Sequence, residues 1–157
     1  MSEILDNQLF LGNYRDSLNE QFLIARDINV IVNCTKDLPF SSYQGIKRRY
    51  RIPVDDDLRE ESIQEMSYAL EFIIPLLVRH IQNGDRVLIH CFAGMQRSAV
   101  VTLTLLFELA CAAKSNPIDL YNYIRSRRPI AFQPSFNFER AFISYYNRHN
   151  IDCIPTN

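Results

Sequence analysis

The feature that most constrains this chain is a change of pattern between residues 87 and 113. Val87-Leu88-Ile89 is a short apolar run, His90-Cys91-Phe92-Ala93-Gly94-Met95-Gln96-Arg97-Ser98 breaks it, and residues 99–113 are apolar almost throughout. The short run reads as a buried strand and the long one as a buried helix. The stretch between them is then a tight loop that runs into a helix N-terminus. Such a loop aims backbone N–H groups inward, and the helix end carries about half a positive charge, so the loop can hold an anion. A cysteine there loses its proton readily, because helix N-termini and neighbouring cations bring thiol pKa values down to about 3.5–7.5. A nucleophile and an anion site in one loop suit attack on a phosphate ester.

Strands and helices alternate along the rest of the chain. The pattern predicts a strand over residues 8–12, a helix over 18–26 capped by Asp16 or Ser17, and a buried strand over 29–34. Residues 36–45 read as a loop, and a further strand lies within 46–54. Asp55-Asp56-Asp57 belongs to an exposed loop. A helix over 63–82 follows, opened by a Ser62/Glu65 capping box, kinked at Pro75 and stopped by Asn83-Gly84. Asn116-Pro117 opens another helix, which Arg128-Pro129 ends, and Pro134-Ser135 opens the last. The expected fold is α/β: a small, mostly parallel central sheet flanked by helices, with the anion loop between a buried strand and a buried helix. The 157 residues suffice for one domain with a real core, taken as 1–157.

Charge and cysteine usage narrow the function. A net charge of −1 disfavours nucleic acid as a general partner. Cys34, Cys91, Cys111 and Cys153 form no Cys-x-x-Cys pair, so no metal or other cofactor is expected. The acidic start of the chain lacks the form of an export signal, so reduced thiols and a cytoplasmic, or nuclear, setting are expected. The 99–113 segment is shorter than the ~18–20 apolar residues of a membrane span and contains Glu108, so no membrane partner is expected either.

The pattern His90-Cys91-x-x-Gly94-x-x-Arg97-Ser98 resembles the signature of the cysteine-based protein tyrosine phosphatase superfamily. Ile52-Pro53-Val54-Asp55-Asp56 and Pro134-Ser135-Phe136-Asn137-Phe138 resemble its compact dual-specificity branch. The likeness runs from about residue 5 to residue 149. It implies a phosphatase that acts on phosphotyrosine and phosphoserine or phosphothreonine in proteins. Cys91 would attack phosphorus and carry a thiophosphate intermediate. Residues 92–97 (Phe92, Ala93, Gly94, Met95, Gln96 and Arg97) would bind the phosphate. Arg97 would grip two oxygens with its planar fork, and Gly94 would let the backbone turn its N–H inward.

Ser98 is expected to donate its hydroxyl to the Cys91 sulfur. By resemblance His90 supports the loop, and the Ile-Pro-Val-Asp-Asp match places the general acid on Asp56, with Asp57 and then Asp55 as alternatives. The resemblance also offers Arg128 for a second phosphate. Cys34 ends a strand on the ligand side of the sheet and is a candidate redox partner of Cys91. One departure stands out: the branch often has asparagine where Ser135 stands, and serine's shorter reach should weaken its brace on the loop. Rival readings are the same chemistry on RNA 5′-triphosphate ends or inositol phospholipids, and a catalytically weak phosphate-binding module. The loop side chains include no lysine to meet extra phosphates, which leans toward protein phosphoesters.

Overall fold

Side-chain alternation along short strands sets the architecture. The computed structural model describes residues 1–113 and 115–150. Strands β1 (Ser2–Leu5), β2 (Leu9–Gly12), β3 (Val30–Asn33), β4 (Arg48–Arg51) and β5 (Val87–His90) form one sheet in the order β1-β2-β5-β3-β4. β1 runs antiparallel to β2, and every other pair is parallel. This is the mostly parallel sheet expected.

The register sorts residues into rows across β2, β5 and β3. Leu9, Val87 and Val30 share one row, Leu11, Ile89 and Val32 another, and both point into the larger core cluster. Between them, Phe10, Leu88 and Ile31 point the other way, onto Leu23, Ile28 and Ile46. The next row, Gly12, His90 and Asn33, stands at the carboxyl ends of the strands. Chain direction and register therefore deliver Cys91 to the crevice where open α/β sheets place their ligands.

Helix α3 (Glu60–Gln82) buries Met66, Leu70, Ile74 and Leu77 against the larger cluster. Helix α4 (Arg97–Leu109) is buried on nearly every side, which explains its almost unbroken apolar sequence. A 3₁₀ turn, Cys111–Ala113, follows it. Helices α5 (Pro117–Arg127) and α6 (Glu139–His149) complete that layer. The other face carries the short helices α1 (Tyr14–Leu18) and α2 (Glu20–Ala25).

Several expectations are corrected. The helix expected over 18–26 is two helices broken at Asn19. Asn13 and Asn19, not Asp16 or Ser17, cap them, because each amide oxygen accepts an N–H of the following turn. The Ser62/Glu65 box does not form: α3 already begins at Glu60, and its chain continues through Pro75. The last helix opens at Glu139, since the residues after Pro134 brace a loop instead of starting a helix. β1 was not foreseen. It is an edge strand with only Ile4 fully buried, so it carries almost no apolar signal. Cys111 is disulfide-bonded, whereas Cys34 and Cys91 are free, so reduced thiols hold only for these two of the three described cysteines. Cys153 lies outside the described residues. Among the described residues, no helix is long and apolar enough to cross a membrane.

Candidate active site

The loop between β5 and α4 is held from outside by its carbonyl groups. Phe92 O accepts the Tyr14 N–H at 3.1 Å, and Met95 O accepts the Phe132 N–H at 2.7 Å. Arg128 donates through Nε to Gly94 O at 2.7 Å and through Nη2 to Ala93 O at 3.3 Å. Four consecutive carbonyls thus face outward. Because a planar peptide points its N–H opposite to its C=O, the amides turn toward the loop centre. At that centre lies Cys91, 2% exposed. Its Sγ accepts the Gly94 N–H at 3.2 Å and lies 3.1 Å from Ser98 Oγ.

Gly94 adopts φ +69°, in the left-handed region. A Cβ there would also run into the Gly12 carbonyl oxygen and the Arg128 guanidinium. Both the backbone conformation and the space require glycine.

The electrostatics separate the two free cysteines. Burial pushes the Cys91 thiol up, but the Ser98 hydroxyl and N–H, the Arg97 charge and the Met95 N–H together bring it below its ordinary 9.0. Burial dominates at Cys34, and the neighbouring Cys91 charge adds to it, so that thiol is raised well above 9.0. His90 is fully buried, and desolvation pushes its pKa down to about 4. The imidazole is therefore neutral, and its Nδ1–H donates to Cys91 O at 3.2 Å. This is a supporting contact and not that of a base.

Arg97 opens α4. Its Nη1 donates to Val54 O at 3.0 Å, while its buried Nε has no partner in the protein. The guanidinium is thus fixed to the acid loop with a donor left for an anion beside Cys91.

The three aspartates have different surroundings. Asp55 forms an ion pair with Lys36 at 2.8 Å. Asp57 accepts from the Ser62 hydroxyl and the Arg59 N–H, which hold its carboxyl below the usual range. Asp56 alone of the three reaches back toward the anion loop: its Oδ1 accepts from Asn137 Nδ2 at 3.1 Å.

Asn137 lies within the Pro134-Ser135-Phe136-Asn137-Phe138 motif, and the sequence alone assigns it no role. Its backbone N–H donates to Gln96 Oε1 at 3.1 Å, and its Oδ1 accepts from Ser135 Oγ at 2.7 Å. Gln96 is buried and donates to Gln133 O at 2.8 Å and Ser135 O at 2.7 Å. The brace that seemed weakened by Ser135 is made by Gln96, and Ser135 orients Asn137. The only sequence signal was a long polar side chain just before a helix.

Arg128 is 7% exposed, and besides the two loop carbonyls it donates to Ser2 Oγ at 3.0 Å. All three guanidinium nitrogens are thus engaged within the protein, at the loop and at Ser2. Lys47, Arg49 and Arg51 are likewise engaged: Arg49 holds Ser41 O and Tyr43 O, Arg51 holds Thr35 O and Leu38 O, and Lys47 pairs with Asp85. Cys34 follows Asn33, the register partner of His90, and its N–H donates to His90 O at 2.8 Å. That places it beside Cys91. Among the described residues, no group of His, Cys, Asp and Glu is arranged to hold a metal ion.

Known proteins resemble this chain in sequence and in fold. The tyrosine-protein phosphatase vhp-1 of Caenorhabditis elegans is 32% identical over 145 residues, covering 92% of this chain and 21% of that protein. Human dual specificity protein phosphatase 9 is 33% identical over 144 residues, covering 91% of this chain and 35% of that protein. The chain thus spans about a fifth to a third of these two curated relatives. The crystal structure of human DUSP28 superposes with a TM-score of 0.82 at 22% identity, covering 97% of this chain and 99% of that one, and so shares the fold. Residues 9–148 match the family described as dual specificity phosphatase, catalytic domain, a span that runs from β2 through the anion loop to the end of α6. The chain belongs to that family.

Proposed function

We propose that this chain is a phosphatase that hydrolyses phosphotyrosine and phosphoserine or phosphothreonine monoesters in proteins through a cysteinyl-phosphate intermediate. The observation that carries the reading is the Cys91 sulfur, held by the Gly94 N–H and the Ser98 hydroxyl in a loop whose carbonyls all face away from it. In the first step the Cys91 thiolate attacks phosphorus, an S–P bond forms and the P–O bond to the substrate breaks. Asp56 protonates the departing oxygen. In the second step Asp56, now a carboxylate, takes a proton from water, whose oxygen attacks phosphorus. The S–P bond breaks, inorganic phosphate leaves, and Ser98 stabilises the released thiolate. Arg97 follows the phosphoryl oxygens through both steps. No cofactor is needed.

The vhp-1 and dual specificity phosphatase names support this activity, and a phosphorylated protein is the partner it implies. A cytoplasmic setting belongs to the proposal, since the nucleophile must stay reduced. Cys34 is proposed as the redox partner. Peroxide converts the Cys91 thiolate to a sulfenic acid, and the Cys34 thiol then displaces water from it to give a disulfide.

The test compares phosphate release from phosphotyrosine and phosphothreonine peptides, triphosphate-ended RNA and inositol phospholipid head groups. Peptide hydrolysis should dominate. Cys91→Ser should abolish turnover yet retain phosphopeptide binding; normal turnover by that variant refutes the mechanism.

A further inference from the structure

Helix α3 packs one face into the core and turns a second, unpartnered face to solvent. Tyr68 is 73% exposed, Phe72 70% and Leu76 37%. They recur at helical spacing, so they form one stripe, and the rings of Tyr68 and Phe72 lie 5.9 Å apart. Isolated exposed apolar residues are ordinary, but a continuous stripe on a long helix marks an interaction surface. At its Tyr68 end the stripe stands between two grooves. Tyr68 borders one of about 690 Å³ with Pro53, Val54 and Glu65, and Tyr68 and Phe72 border another of about 540 Å³ with Ser67, Glu71 and Arg148.

The charges at the ends of the stripe identify the occupant. One helical period beyond Tyr68 lies Glu65, and one beyond Leu76 lies Arg79, both exposed. Neither makes an ion pair or side-chain hydrogen bond among the described residues; Lys36 acts on Glu65 only through space. The pattern is symmetric about Phe72. Tyr68 and Leu76 lie four residues to either side of it, and Glu65 and Arg79 lie seven to either side. At about 1.5 Å per residue, equal offsets mean equal heights when a second α3 runs antiparallel across the same point. Phe72 then meets Phe72, Tyr68 meets Leu76, and Glu65 meets Arg79 twice over. That is the isologous pattern of a two-fold dimer, in which residue i meets j and j meets i.

We infer that the exposed face of α3 is a self-association surface, and that its occupant is the α3 of a second copy of this chain, antiparallel and centred on Phe72. The ridge of each copy lies along the grooves of the other at the usual interaxial distance of about 8–10 Å. Roughly three turns per chain make a small interface, below about 1,200 Å² in total, so association is weak and reversible. The surface begins one turn after the acid loop, and the groove beside Tyr68 reaches Val54, whose carbonyl holds Arg97. The dimer therefore flanks the active-site crevice without entering it.

The test is sedimentation equilibrium of the full chain from about 10 μM to 1 mM. A monomer–dimer equilibrium is expected. Phe72→Glu sets two like charges face to face at the dyad and should leave only monomer. Glu65→Arg alone and Arg79→Glu alone each create repulsive pairs and should weaken association about five- to tenfold. Mixing these two variants should restore it, because both pairs across the hetero-interface are again of opposite sign. Helical circular dichroism checks that each variant is folded. A wild-type chain that stays monomeric at 1 mM overturns the inference. So does a Phe72→Glu variant that still dimerises, or a mixture that associates no better than its separate components.

Discussion

Gly94 concentrates two constraints in one residue: a left-handed backbone and no room for a Cβ against Gly12 and Arg128. Gly94→Ala should therefore cost at least about 1–2 kcal/mol in urea unfolding and weaken binding of phosphate analogues. An alanine variant with native stability and affinity would contradict the stated loop geometry. Ser98 leads the groups that lower the Cys91 pKa. The thiolate fraction should rise through a midpoint below 9.0, and the rate of alkylation by iodoacetate should follow it. Ser98→Ala should move that midpoint upward, and an unmoved midpoint would remove the serine from this role. Asn137 is a positioning residue, since it acts through its hydrogen bond to the proposed acid. Removing the acid in Asp56→Ala should lower kcat by about 10²–10⁴-fold. Asn137→Ala should lower it less, and should add nothing once Asp56 is gone, because both changes act through one proton. Additive effects would separate the two residues.

At the scale of elements, a polar cluster away from the catalytic crevice ties β4 to α3. Asp85 accepts from Lys47 at 2.6 Å, from His80 Nδ1 at 2.7 Å and from Asn29 at 3.2 Å, and His80 Nε2 meets the Tyr50 hydroxyl at 2.7 Å. Burial pushes the Asp85 carboxyl up, but Lys47, His80 and Asn29 outweigh it and hold it below its ordinary 3.8. A depressed folded-state pKa means stability that is present above the unfolded value and lost as pH falls through the folded one. Asp85→Asn should cost about 1–3 kcal/mol near neutral pH and flatten the loss of stability below pH ~4. An unchanged acid limb would show that the cluster does not control it. None of these pairings was legible in the sequence, where Asp85 is a turn residue and His80 a residue near a helix end. The strands and helices themselves were legible where the apolar period was strong, as in β3, β5 and α3, or where caps and prolines mark both ends, as in α5. They were misread where short polar side chains decide the boundary, as Asn13 and Asn19 do.

Across the molecule, four separate stretches meet at one anion loop: the start of α1, the acid loop, the end of α5 and the segment before α6. Binding an oxyanion there should stabilise the whole fold, by about 2.7 kcal/mol at a hundredfold excess over Kd. Sulfate or vanadate should raise the melting temperature of the wild type and leave Arg97→Ala almost unmoved; an equal rise in both would place the anion elsewhere. By itself the sequence determined the strand–loop–helix unit, with Cys91, Gly94, Arg97 and Ser98 on it, because those residues lie within one local turn whose chemistry depends on their spacing. Only the tertiary structure decided how that loop is held and what each of the three neighbouring aspartates contacts. Arg128 and Asn137 reach the loop across 34 and 41 positions of chain, and Asn137 reaches Asp56 across 81; contacts of that range leave no period or spacing to read.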